Sequence, residues 1–262
     1  MGSYKENLAK KLKLKLLKKA SSTKSRHVHI GSCLSCFDII FQILINEKKK
    51  EDSFILSKGH AALAWYTILN YQKKISNKTY ERYLSESGEL GIHPSSLFPK
   101  DIPLATGSLG HGLSFACGLA KANLLKRKKT KVYCLISDGE CNEGSIWEAA
   151  LFASSQKLNN LIVLLDKNNF QAFGRPVEVM GEAATAEKWQ AFGFNVYKCN
   201  GHDLKALHKA FIKVKKNKSN NPNIIICDTK RGKGIKEIED KLESNYLPIT
   251  SEILNRYEKK IS

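Results

Sequence analysis

The 262-residue chain has no run that approaches the roughly 18 uncharged apolar residues a membrane span requires. Its N-terminus shows no apolar stretch followed by a small-residue cleavage site, so the secretory pattern is missing too. Met1-Gly2 could open a myristoylation signal, but Glu6 stands where that signal wants Ser or Thr. Together these absences predict a cytoplasmic chain with no membrane attachment. Cysteines suited to a framework are also lacking. There are seven, an odd number, so reduced thiols are expected. Cys33 and Cys36 have the spacing of half a zinc site but no second pair, and core packing is the better account of them. Neither an internal repeat nor a long Pro/Ser linker interrupts the chain, which predicts a single domain over 1–262. Acidic residues are scarce, 25 against 43 basic, for a formal charge of +18. Such a balance raises the question of nucleic acid. Yet the lysines are scattered and do not alternate with aromatics, so solvated faces and anionic small ligands are the expectation.

What is present alternates. Residues 4–20 place Leu8, Leu12 and Leu16 at helical spacing among lysines, predicting a basic helix docked on its own domain. Apolar helices are expected from Leu34 to about Asn46 and from Ala61 to Tyr71. Then come a helix at Ser114–Lys128, a β-prone run at 132–137, a helix at Ser145–Gln156 and a second apolar run at 161–166. Further runs at 195–198 and 223–228 flank a helix from Asp203 to Val214, and 235–262 reads as a C-terminal extension. Strand, helix, strand is a crossover unit. Its strands are uniformly apolar because helices cover both faces. The fold class predicted is α/β, a doubly wound, mostly parallel sheet flanked by helices.

Open parallel sheets bind ligands beyond the carboxyl ends of their strands. After the run at 132–137 come Asp138, Gly139 and Glu140; after the run at 161–166 come Lys167, Asn168, Asn169 and Phe170. One strand, turn, helix and turn separate Asp138 from Asn168, so both can emerge at one rim. A carboxylate, an amide oxygen and a nearby carbonyl suit magnesium, which retains phosphate and water among its six oxygens. Gly139 permits close backbone approach, and the helix that follows could turn its N-terminus toward an anion.

The run ISDGECNEGSIWEAALFASSQKLNNLIVLLDKNNFQAFG resembles the thiamine diphosphate motif of transketolases, most closely the separately encoded N-terminal subunits of split transketolases. HIGSCLSCFDI, SFILSKGHAALAWY, GIHP, LATGSLGHGLSFACGLA, NGHD and DTKRGKG resemble family blocks in family order, over about residues 20–235. The resemblance implies thiamine diphosphate and Mg2+, or another divalent ion such as Ca2+ or Mn2+. Asp138, Asn168 and the carbonyl of Phe170 would be the metal ligands. Cofactor contacts would come from His60, Gly107, Ser108, Leu109, Asp138, Gly139, Glu140 and Asn168. His29, His60 and His93 would line the substrate channel as catalytic groups, and Glu143 would link two active sites across a dimer axis.

The activity implied is transfer of a two-carbon ketol unit from a ketose to an aldose, with small, phosphorylated sugars as substrates. The glutamate that protonates the aminopyrimidine lies, in the family, on a separate pyrimidine-binding domain. The expected partner is therefore a C-terminal, pyrimidine-binding subunit, in an α2β2 heterotetramer whose interface includes the helix at 145–156. One departure is visible: Asn245-Tyr246 stands where split transketolases commonly carry a histidine, which leaves open a relative acting on another ketose or an α-keto acid. A basic nucleic-acid-binding or regulatory protein on the same fold is the alternative from another class.

Overall fold

The computed structural model describes residues 2–23, 28–95 and 101–261. Five strands form one sheet, β1 (Ser53–Leu56), β2 (Val132–Ser137), β3 (Leu161–Lys167), β4 (Asn195–Asn200) and β5 (Asn223–Asp228), in the order β1-β2-β3-β5-β4. All four pairings are parallel, so "mostly parallel" becomes wholly parallel for the described strands. β1 is an addition to the expected strands, a four-residue run bounded by polar residues.

Because side chains alternate across a strand, each apolar run feeds two cores. Tyr133, Leu135, Ile162, Leu164 and Ile225 point to one face, under α1 (Gly2–Ser22), α2 (Ile30–Phe41), α3 (Ala62–Tyr71) and α9 (Leu204–Lys216). Val132, Cys134, Ile136, Val163, Leu165 and Ile224 point to the other, under α5 (His111–Leu125), α6 (Gly144–Ser155) and α8 (Ala186–Ala191). Each such aliphatic side chain contributes about 1.5–3 kcal/mol by leaving water.

The short helices α4 (Asn77–Glu81), α7 (Pro176–Met180) and α8, and the terminal α10 (Ser251–Ile261), are further additions. α10 buries Ile253 and Tyr257 against the first core, and Lys18 of α1 pairs with its Glu258 at 2.8 Å. α1 is a docked helix, with Ala9, Leu12, Leu16, Leu17 and Ala20 buried. One expectation needs correcting. α2 continues without a break into a π-helical stretch, Gln42–Glu47, and the 18-residue span Ile30–Glu47 is long and apolar enough to cross a membrane by length and composition alone. It is mostly buried inside the chain, carries Asp38 and Glu47, and serves as a central core helix. Cys33 and Cys36 lie on it as fully buried core residues, and all seven cysteines are free.

Candidate active site

Four strands deliver their carboxyl ends to one rim. β1 runs into Ser57, Lys58, Gly59 and His60, β2 into Asp138, β3 into Asn168, and β5 into Thr229, Lys230 and Arg231. A cavity of about 370 Å³ opens there, lined among others by His29, His60, His93, Gly107, Leu109, Gly139, Glu143, Asn168 and Phe170. Most of the anticipated residues are thus brought together. Asp138 is buried directly beneath the rim, and Ser108 is exposed outside the cavity wall.

Glu140, expected among the cofactor contacts, has a different place. It is fully buried, and its carboxylate accepts from Ser57 Oγ at 2.5 Å, Gly110 N at 2.9 Å and Ser137 N at 2.8 Å. Three donors occupy it, so it ties the β2 turn to the end of β1 and to the start of α5. Sequence adjacency to Asp138 suggests a shared role, but the tight turn at Gly139–Asn142 points neighbouring side chains in different directions.

Asp138 Oδ1 accepts from Gly139 N at 2.9 Å, and Oδ2 from Asn169 N at 2.5 Å. The two loops are therefore joined through one carboxylate. Asn169 adopts a left-handed conformation, φ 62°, which turns the chain sharply after Asn168. Burial, reinforced by Asp166 nearby, pushes the Asp138 carboxyl up to about 7, so nothing among the described groups neutralises it fully. Asn168 spends its amide N–H on Asp166 Oδ2 at 3.1 Å, which fixes which end of the amide is the oxygen. The donors on offer to a cation are a carboxylate, an amide oxygen and a carbonyl, all hard oxygens. Among the described residues no three His, Cys, Asp or Glu side chains cluster to hold a metal. An ion here would complete its shell with main-chain oxygen and phosphate.

Beneath this lies a network that sequence reasoning missed. Asp166, at the end of β3, accepts from Lys58, from Thr229, and from Ser35 Oγ at 2.6 Å, and both partners of the Lys58–Asp166 pair are inaccessible to water. Burial opposes both charges. Lys58 nevertheless holds the Asp166 carboxyl below its ordinary value, and Asp166 raises the Lys58 ammonium above its own. The signal was a charged residue ending an otherwise apolar strand.

Arg231 was also missed. It is buried in the cavity wall, with Nη1 donating to Gln171 O at 3.2 Å, and among the described residues its Nε has no hydrogen-bond partner. A cationic fork with an unused buried donor favours an anion. Its segment is positioned from behind: Lys230 N donates to His202 Nε2 at 2.9 Å, His202 Nδ1 lies 3.3 Å from Asp38 Oδ2, and Lys13 of α1 donates to the same oxygen at 2.6 Å. With Nε2 accepting, the His202 proton sits on Nδ1 and faces Asp38.

The histidines form a group, with His29 5.7 Å from His60 and 6.0 Å from His93 between ring centroids. Burial, with Lys58 and the neighbouring histidines, drives His60 well below the ordinary imidazole value, and burial lowers His93 as well. Both rings are thereby kept in the neutral form, with a nitrogen that can accept a hydrogen bond. Glu143 caps α6 in position yet makes no side-chain cap bond, so helix capping does not account for it. Close approach explains one glycine: a Cβ on Gly107 would come within 3.3 Å of the His93 ring. Asn245, at the expected histidine's place, is buried and bonded to Ser32 through N at 2.9 Å and Oγ at 3.1 Å, while Tyr246 lines the cavity 6.4 Å from His29.

The thiamine diphosphate binding domain of transketolases matches residues 23–259. An apulose-4-phosphate transketolase subunit of Actinobacillus succinogenes is 36% identical, covering 82% of this chain and 80% of that one. A 6-deoxy-6-sulfo-D-fructose transketolase subunit from a Clostridium species is 31% identical, covering 86% and 85%. Among solved structures, transketolase from Leishmania mexicana superposes with a TM-score of 0.86 at 22% identity, and that from Campylobacter jejuni with 0.79 at 27%. This chain spans about two fifths of either of those proteins, 41% and 42%.

Proposed function

The chain belongs to the transketolase family, as its thiamine diphosphate binding domain, and from that premise we propose that it is the N-terminal subunit of a split transketolase. Its reaction is the transfer of a two-carbon ketol unit from a ketose to an aldose. Thiamine diphosphate supplies the electron sink when bound. The observation that carries this reading is that Asn168, Phe170 and Arg231, whose Nε has no hydrogen-bond partner among the described residues, line one cavity, while Asp138, buried beside it, is tied to the same loop through Asn169 N. In this reading Asp138, Asn168 and the Phe170 carbonyl hold a divalent cation, Mg2+ foremost, and Arg231 and Gly139 face the diphosphate. His29, His60 and His93 bind sugar hydroxyls and move protons.

The aminopyrimidine would be met by a separate pyrimidine-binding subunit, a reading that the subunit naming of the relatives supports. α6 leaves Leu151 and Phe152 exposed, and α5 leaves Phe115, which supports a docking face of the kind an α2β2 assembly would bury. Glu143, free of capping duty at the cavity rim, suits a link to a second copy. The relatives named for apulose-4-phosphate and for a sulfosugar suggest an anionic ketose rather than an α-keto acid. Tyr246 at the cavity wall is where the choice among ketoses would be felt. Seven free thiols fit work in the reducing cytoplasm.

Calorimetric titration with thiamine diphosphate, with and without Mg2+, tests the site. Magnesium-dependent binding that Asp138→Ala abolishes is the expected result, with ketol transfer appearing only after addition of the pyrimidine-binding subunit. An Asp138→Ala chain that binds as well as the wild type would overturn the assignment.

A further inference from the structure

β4 and β5 are neighbours in the sheet, and their register sets Cys199 directly opposite Cys227. Residues so paired share one face of the sheet, and here the two sulfurs lie 4.0 Å apart. Adjacent strands run about 4.7–4.9 Å apart, inside the Cα separation of about 4.4–6.8 Å that a disulfide spans. Side-chain rotation and a small drawing together of the two strands would join them.

The seven thiols are not alike. Cys33, Cys36, Cys117, Cys134, Cys141 and Cys227 are buried, whereas Cys199, on the edge strand β4, is partly exposed. Solvent therefore reaches this pair at one sulfur. The neighbouring Cys199 sulfur, with burial behind it, pushes the Cys227 thiol well above its ordinary value. Cys227 thus keeps its proton, and Cys199 is the sulfur that meets a reagent first. An accessible thiol backed by a buried one is the arrangement of an attacking cysteine and its resolving partner.

The segments beyond the pair connect it to the strand-end cavity. Each cysteine stands three residues before one end of the Lys230 N to His202 Nε2 hydrogen bond, the contact that positions the Arg231 segment. Between them the packing has no slack: Gly201 N donates to Asp228 O at 2.8 Å, and a Cβ on Gly201 would lie 2.4 Å from Thr229 Cγ2 and 3.0 Å from Cys227 Cβ. Thr229 in turn donates to Asp166. Drawing the sulfurs from 4.0 Å to a bond of about 2.05 Å would be felt along both segments.

We propose that Cys199 and Cys227 form a redox modification site, oxidised by a peroxide to an intramolecular disulfide and returned to thiols by a small thiol. The Cys199 thiolate attacks one peroxide oxygen, an S–O bond forms and the O–O bond breaks, leaving a sulfenic acid and, after proton uptake, water. The Cys227 sulfur then attacks the Cys199 sulfur; the S–S bond forms, the S–O bond breaks, and the hydroxyl leaves with the Cys227 proton as a second water. Two electrons pass from the two thiols to the peroxide. Attack of an external thiol on the disulfide reverses the change by exchange.

The test treats the folded, fully reduced chain with hydrogen peroxide, then unfolds it, alkylates it and measures its mass, followed by peptide mapping without reductant. The expected result is the loss of two hydrogen atoms and of two alkylatable thiols from the seven, with the 199 and 227 peptides joined and dithiothreitol restoring both. Cys199→Ser, at the partly exposed position, should keep all its remaining thiols, and Cys227→Ala should stop at a sulfenic acid or its glutathione adduct on Cys199. Should Cys227→Ala fail to fold, Cys199→Ser decides the matter. Seven thiols surviving treatment would overturn the proposal, as would addition of oxygen to Cys199 with Cys227 left free, or an undiminished loss of two thiols in Cys199→Ser. The connection to Arg231 rests on the cofactor reading and is tested separately: the oxidised chain should bind thiamine diphosphate with Mg2+ more weakly, by up to about tenfold, the worth of one charge-assisted contact. Equal binding by oxidised and reduced chains would break that connection. A reduced chain that does not bind would instead overturn the cofactor reading, while mass and thiol count still decide the disulfide.

Discussion

The two ends of the same five strands handle charge in opposite ways. At the carboxyl ends, charges are buried and joined: Asp166 with Lys58, Asp138 bridging two loops, Glu140 held by three donors. At the amino ends, Glu47 and Asp52 are satisfied, and Lys49, Lys129, Lys131 and Lys218 stand without a carboxylate partner among the described residues. A buried charge is expensive to disturb, and a solvated one is nearly free to change. Loss of a buried, paired charge should therefore cost stability at either end, whereas replacing a solvated lysine should leave stability nearly untouched.

Asp166→Asn is the hardest blow to that contrast. It strands Lys58 in the core and should cost about 3–5 kcal/mol, read from denaturant midpoints; a cost near zero would show the pair to be dispensable. Glu47→Gln tests the one buried acid at the amino end that holds an ion pair. It should cost about 1–3 kcal/mol at pH 7. Burial would raise the Glu47 carboxyl, but Lys215, His208 and Gln42 hold it below its ordinary value. Its contribution is therefore present above the unfolded carboxyl value of about 4.3 and is lost as pH falls from there through the folded value. The gap between wild type and variant should close in acid, as thermal unfolding at a series of pH values would show. Arg231→Gln should weaken thiamine diphosphate binding about tenfold, or about 1.4 kcal/mol, with little change in the unfolding midpoint. Smallest is the stability effect of Lys129→Gln with Lys131→Gln, within about 0.5 kcal/mol. A larger loss would mean that these lysines support the fold.

Legibility in the sequence followed chain distance. β2, β3 and β5 are plain because continuous apolar runs report burial on both faces, whereas β1, four residues long, offers too little pattern. α5 begins at His111, three residues before the expected start, because Gly110 at φ 86° turns the chain directly into it. Asp138 and Asn168 can be paired from sequence since one crossover unit separates them. Lys58 and Asp166 cannot, for they lie 108 residues apart and meet only because β2 sits between β1 and β3. Glu140 misleads because neighbours in sequence need not share a face at a tight turn.

The line from Lys13 through Asp38 and His202 to the main chain of Lys230 gives α1 a reach beyond its own packing. A basic leading helix looks like a segment that could be trimmed or tagged freely. Here its lysine holds the far end of a lever whose near end is the loop bearing Arg231. Shortening the chain past Lys13 would leave the Asp38 carboxylate short of a cation, release the ring of His202, and loosen the grip on an anion at a cavity whose wall includes no residue of that helix.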